Sequence, residues 1–177
     1  TASNPLNSNE AVFSGVSVTQ GEYTSRDIGS PGAIGSANFD PASSTYTIQA
    51  SGSDIYGTAD QFHFVSRSYI GDGSIVGYVN SITNTNPWAK AGLMFRVSNA
   101  ADAPFAGVFV SPQNGIVFEW RTSPGGAVSQ QVSSPPGGPV AAPVSLKVTR
   151  ANGTFAGYYS TDGLAWILIG PAQAVSM

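Results

Sequence analysis

Cysteine is absent from this chain of 177 residues, which excludes disulfides, thiolate metal centres and cysteine nucleophiles. Charge is scarce: Asp, Glu, Lys and Arg supply 10% of residues, against about 25% in an average soluble domain. The formal net charge is -3 and no run of Lys or Arg occurs, so the basic stripe that displaces counterions from nucleic acid is missing. No apolar stretch approaches the roughly 18 residues that span a bilayer, so membrane insertion by a helix is not expected. Neither a GxSxG nor an HExxH pattern is present. There is one histidine, His63. Ser, Thr, Asn and Gly take the place of the missing charges, a surface chemistry that suits an extracellular bacterial protein.

What remains is alternation. "STYTIQASG" sets Tyr46 and Ile48 on one face, and "AGLMFRVS" sets Leu93, Phe95 and Val97 against Met94 and Arg96. "SIVGYVNSI", "FAGVFVS", "GIVFEWRTS", "VSLKVTR", "TFAGYYS" and "LAWILIG" are further runs of strand length. "GDGS", "PQNG", "SPGG", "PPGGP", "ANGT" and "TDG" separate them as turns. Asn152-Gly153 suits a two-residue hairpin whose central residues both need positive φ, and the neighbouring "STDGLAW" reads as another hairpin. No helical periodicity or capping box interrupts the pattern. Many short strands, 21 glycines and 12 prolines predict an all-β fold, a two-sheet antiparallel sandwich. "SSPPGGPVAAP" reads as a long connection between strands.

"SGSDIYGTADQFHFV", "GDGSIVGYVNSITNTNPWAKAGLMFRVS", "GIVFEWRTSPGG" and "VSLKVTRANGTFAGYYSTDGLAW" occur in that order. Together they resemble the concanavalin A-like (laminin-G-like) jelly-roll modules of large secreted bacterial proteins, over roughly Asp27 to Gly170. The resemblance implies a jelly roll of two antiparallel sheets, and it leaves function open, because such sandwiches host lectins, glucanases and structural repeats. In that family further strands follow the Trp hairpin, whereas "TASNPLNSNEAVFSGVSVT" at the start of this chain resembles the closing one. Residues 1–26 are therefore read as an N-terminal strand segment, the closing strand of a preceding repeat, and 27–177 as the sandwich without its own final strand. Ala11 to Thr19 would either fold back onto this domain or pair with a neighbouring copy by strand donation.

The chemistry-bearing residues are few. The Glu-x-Asp-x-x-Glu motif of concanavalin-like glucanases is missing. Glu119 stands alone in a strand, with Arg121 two residues away on the same face as an ion-pair partner. A lone carboxylate cannot serve as both acid and nucleophile, and no Ser-His-Asp spacing follows from one His, so no enzyme is expected. Asp54 and Asp60 flank "IYGTA" and are candidate ligands for a structural Ca²⁺, while Asp72 between two glycines reads as turn chemistry. Sugar recognition needs aromatic faces and planar hydrogen-bonding groups. Tyr56 and Trp88 lie in loops, with Trp88 alternatively a plug at the end of the sandwich. Tyr78, Lys90, Arg96, Glu119 and Arg121 fall opposite the main apolar set, as does Met94, and could line a shallow polar groove. Trp120 and Trp166 read as core. The expected function is a non-catalytic carbohydrate-binding or adhesive module, outside the cell or at its surface, with a polysaccharide partner. The alternative is a structural repeat of an extracellular fibre, joined by strand exchange.

Overall fold

A computed structural model of the chain describes residues 8–15, 23–133 and 135–177, and none of these is helical. Their strands, in chain order, are β1 (Asn9–Ser14), β2 (Thr24–Ile28), β3 (Ser36–Asp40), β4 (Thr45–Ala50), β5 (Phe62–Ser66), β6 (Gly73–Ile82), β7 (Ala91–Arg96), β8 (Phe105–Ser111), β9 (Gly115–Arg121), β10 (Ser129–Val132), β11 (Val144–Ala151), β12 (Thr154–Ser160), β13 (Ile167–Leu168) and β14 (Gln173–Ala174). A large sheet runs β13-β12-β11-β6-β1-β4-β3, with β14 also on β12; a small sheet runs β10-β9-β8-β7; β2 and β5 form a two-stranded ribbon. The fold is an all-β, antiparallel sandwich, as the alternation predicts, and it is jelly-roll-like, as the resemblance implies.

The large sheet obeys period two. Val144, Leu146 and Val148 of β11 are fully buried, while Ser145, Lys147 and Thr149 between them are half-buried on the opposite face. Asn152 and Gly153, at φ 51° and 72°, join β11 to β12 as the predicted tight hairpin. The "STDGLAW" connection is wider: Asp162 Oδ1 accepts from the backbone N–H of Leu164 (2.8 Å) and Ala165 (2.9 Å), fixing a loop rather than a two-residue turn. Of the "SSPPGGPVAAP" stretch between β10 and β11, the described residues, 133 and 135–143, form no strand.

β1 pairs with β4 on one side and with β6 on the other, within its own chain. Its Ala11 and Phe13 are in the core. Residues 9–14 of the N-terminal segment thus form an integral strand of this domain. Residues 1–7 and 16–22, including the rest of the proposed closing strand and Glu22, lie outside the described residues.

The small sheet departs from alternation for a physical reason. Every residue of β8 is buried, because both faces are covered. Toward the large sheet, Leu93, Phe95, Ala106, Val108, Ile116 and Phe118 join the main core. The other face carries Met94, Phe105, Phe109 and Val117, which pack with Ile28, Ile55 and Phe62 in a second core. Phe109 lies over Gly92 and Gly107: a Cβ at Gly107 would sit 2.7 Å from Phe109 Cζ and 2.9 Å from Met94 Cβ. Gly107→Ala should therefore destabilise by about 1–3 kcal/mol, the range for overpacking. Urea unfolding would measure it, and an unchanged midpoint would show that the second core yields.

Several expectations about side-chain placement change. Val97 is 50% exposed rather than core. Met94 belongs to the second core instead of a polar groove. Trp88 is half-buried and outside both clusters, so it is not a core plug; its backbone N–H donates to Asn86 Oδ1 at 2.8 Å in a local turn. Trp120 stacks on Phe118 at 5.3 Å on the rim of the main core, as expected of a core residue. Trp166 does not; it lies half-buried on the outer face of the large sheet.

Candidate functional site

The strand charges converge, but not on an open groove. Register places Arg96, Phe105 and Arg121 side by side across β7, β8 and β9, with both guanidiniums near the Phe105 ring at 5.8 and 5.2 Å. Asp60 lies above them. Its Oδ1 accepts from Arg121 Nη2 at 2.6 Å, and its Oδ2 accepts from Arg121 Nη1 and Arg96 Nη1, both at 2.7 Å. Arg121 also donates to the carbonyls of Gly126, Ala103 and Gly57, which locks three loops to β9. Asp60 and Arg121 are fully buried. Burial lowers the Arg96 guanidinium from its ordinary value, with Asp60 opposing the shift.

A second set lies one row away. Lys90 Nζ sits 2.8 Å from Asp54 Oδ1 and 2.9 Å from Glu119 Oε1, and donates to the Ile55 carbonyl at 3.1 Å. Tyr56, 47% exposed, covers it with its ring centroid 5.4 Å from Nζ. Burial pushes the Glu119 carboxyl up to about 7, against the pull of Lys90. Burial alone would lower the Lys90 ammonium, but the Glu119 and Asp54 carboxylates outweigh it and hold it above its ordinary value.

Lys90, Arg96, Glu119 and Arg121 are thus spent on ion pairs beneath the Asp54–Asp60 loop. No groove runs over all four, because the loop and the ribbon bury Glu119 and Arg121 completely, while Lys90 and Arg96 also line a cavity of about 680 Å³ between the sheets and the ribbon. Glu119 is ion-paired, as anticipated, but to Lys90 rather than to Arg121. Asp54 and Asp60 do not fit a calcium site. Calcium takes six to eight oxygen ligands, whereas both Asp60 oxygens are held by guanidiniums and Asp54 by an ammonium, all of which would repel a cation. Among the described residues no group of three or more His, Asp or Glu could hold a metal ion.

A solvent-facing surface lies on the large sheet. The outer face of the large sheet carries Tyr78 of β6, Ser145 and Lys147 of β11, Tyr158 of β12, and Trp166 from the following loop. Tyr78 pairs with Ser145 on one side and with Ser14 on the other, and Tyr158 pairs with Lys147. Lys147 Nζ lies 4.6 Å from the Tyr158 ring and 4.2 Å from that of Trp166. By alternation, Ser74, Asn80, Thr45, Thr47, Gln49 and Asn38 continue the same face, together with Val12, Val76 and the carboxylates of Glu10 and Asp40. Tyr78 is the one predicted sheet residue that this face retains. The signal for the others was available: Lys147, Tyr158 and Trp166 all sit opposite or beside the buried set of their strands.

One cluster was not foreseen. His63 is within 2.7 Å of both Asp27 and Ser25, which bracket it on the opposite strand of the ribbon.

No helix among the described residues is long and apolar enough to cross a membrane. Comparison with known proteins found no matching family model, no similar curated protein and no similar solved structure.

Proposed function

We propose that this domain is a carbohydrate-binding or adhesive module of a secreted or cell-surface protein, and that it binds glycan, without acting on it, on the outer face of its large sheet. The carrying observation is the composition of that face: Tyr78, Tyr158 and Trp166 beside Ser, Thr, Asn and Gln, with few charges (Lys147, Glu10 and Asp40) among them. Sugar rings offer apolar C–H faces to aromatic rings and hydroxyls to amides, and this face supplies both. Tyr78 is 39% exposed in the middle of a sheet, where an aromatic ring would otherwise favour burial. The low charge of the chain suits a neutral polysaccharide. β1 completes its sheet in cis, so no unpaired first strand speaks for the alternative, a fibre built by strand exchange.

Affinity electrophoresis against a panel of neutral polysaccharides tests this. Retardation is expected with at least one. Tyr78→Ala and Trp166→Ala should each weaken it about tenfold, as loss of one aromatic contact would, with little change in melting temperature because neither ring belongs to either core. Absence of retardation on every glycan, or retardation indifferent to both substitutions, overturns the proposal.

A further inference from the structure

The β2–β5 ribbon assembles a hydroxyl, an imidazole and a carboxylate in line. Ser25 and Asp27 are two residues apart on β2 and share a face, and His63 of β5 stands directly opposite Asp27. His63 Nδ1 lies 2.7 Å from Asp27 Oδ1, and Nε2 lies 2.7 Å from Ser25 Oγ. The carboxylate can only accept, so it selects the tautomer with its proton on Nδ1. Nε2 then carries the lone pair, and Ser25 Oγ–H donates to it.

The three differ in access. The His63 side chain is 3% exposed and that of Asp27 23%, while Ser25 is exposed. Gly35 holds the inner pair in place. Its N–H donates to both Asp27 oxygens at 3.2 Å, and a Cβ there would lie 2.4 Å from His63 Nδ1, so only a bare backbone can press this close to the ring. The imidazole is therefore shielded and oriented, whereas the hydroxyl at its end faces solvent. A hydroxyl on the surface has water for a partner and no need of a histidine to be satisfied.

We propose that Ser25 is an activated nucleophile, with His63 as its general base and Asp27 as the positioning residue, and that the trio transfers acyl groups from esters to water. Nucleophile, base and orienting group stand within the distances this chemistry requires. In the first step Ser25 Oγ bonds to the ester carbonyl carbon and the carbon–alkoxide bond breaks. The Oγ proton passes to His63 Nε2 and then to the departing alkoxide. Water then attacks the acyl carbon, gives its proton to Nε2, and Ser25 Oγ leaves and takes that proton back. β2 has β5 as its one strand partner among the described residues, so every second N–H along its other edge lies outside the ladder. This inference is independent of the glycan-binding face, which lies on a different sheet.

A fluorophosphonate probe, followed by peptide mapping, tests the nucleophile. One adduct on Ser25 is expected, formed at least tenfold faster than on any other hydroxyl in the chain. Ser25→Ala should lose it, and Thr24→Ala, the neighbouring exposed hydroxyl, should keep it. Asp27→Asn should slow labelling at least tenfold, read on protein whose melting curve shows it folded. The intact protein should hydrolyse 4-nitrophenyl acetate above the spontaneous rate, and Ser25→Ala should not. Labelling of Ser25 no faster than of other exposed serines, or acetate hydrolysis equal in wild type and Ser25→Ala, overturns the proposal. The first comparison needs no variant, so a substitution that fails to fold leaves the test intact.

Discussion

Asp60→Ala is expected to destabilise the domain by about 3–5 kcal/mol, the cost of removing one partner from a buried ion cluster. Asp60 is fully buried and faces two guanidiniums. Without it, Arg96 and Arg121 would keep their carbonyl partners but lose their only carboxylate contacts among the described residues, and two like charges would remain together under the Asp54–Asp60 loop. Neither arginine can shed its proton, so the charge cannot be neutralised in place. The loss should lower the melting temperature by roughly 10 °C in a chain of this size. Asp60→Asn should also be strongly destabilising, because an amide replaces two acceptor oxygens with one. Chemical denaturation of the variants gives the measurement, and a shift under 1 kcal/mol for Asp60→Ala would mean that water enters beneath the loop. Chelator should leave the wild-type melting curve unchanged, since protein cations occupy the carboxylates that calcium would need.

The same cluster explains why the strands were easier to read than the site. Alternation in β11 separates Val144, Leu146 and Val148 from Ser145, Lys147 and Thr149, and the structure buries the first set as the pattern requires. It also places Arg96, Glu119 and Arg121 opposite the residues of the main core, which is correct. What alternation cannot state is whether the second face of a sheet meets water or another layer. Here the answer depends on Asp60 reaching Arg121, 61 residues away in sequence. A face with charges reads as solvated, yet these charges bring their own counter-ions on a covering loop. The near-continuous apolar run of β8 was the available sign that both faces are covered. The ribbon shows the same limit. Ser25 and Asp27 have the spacing of one strand face, but a single histidine 36 residues beyond Asp27 is joined to them only by pairing. Turns fared better, because their chemistry is local: Asn152 and Gly153 take the positive φ that their identity foretells.

Glu119 makes the domain less stable as pH rises through neutrality. In the unfolded chain its carboxyl titrates near 4.5, and in the folded domain burial moves this to about 7. Between those two values the folded state holds a proton that the unfolded state has lost, so this group lowers stability with increasing pH across that window and adds nothing further above it. The full shift corresponds to about 3 kcal/mol at most. Glu119→Gln copies the shape of the protonated form and cannot ionise. It should match the wild type near pH 4.5 and exceed it above pH 7, by up to that amount, although it deletes one partner of the Lys90 ion pair. This inverts the usual expectation that breaking a buried salt bridge destabilises. The difference follows from Asp54, which remains 2.8 Å from Lys90 and keeps the ammonium paired. Urea denaturation of both proteins from pH 4 to 8 separates Glu119 from every other titrating group, because only the difference between the two profiles belongs to it. A difference that is flat with pH, or one that favours the wild type above pH 7, would show that the Glu119–Lys90 pair stabilises the fold as an ion pair.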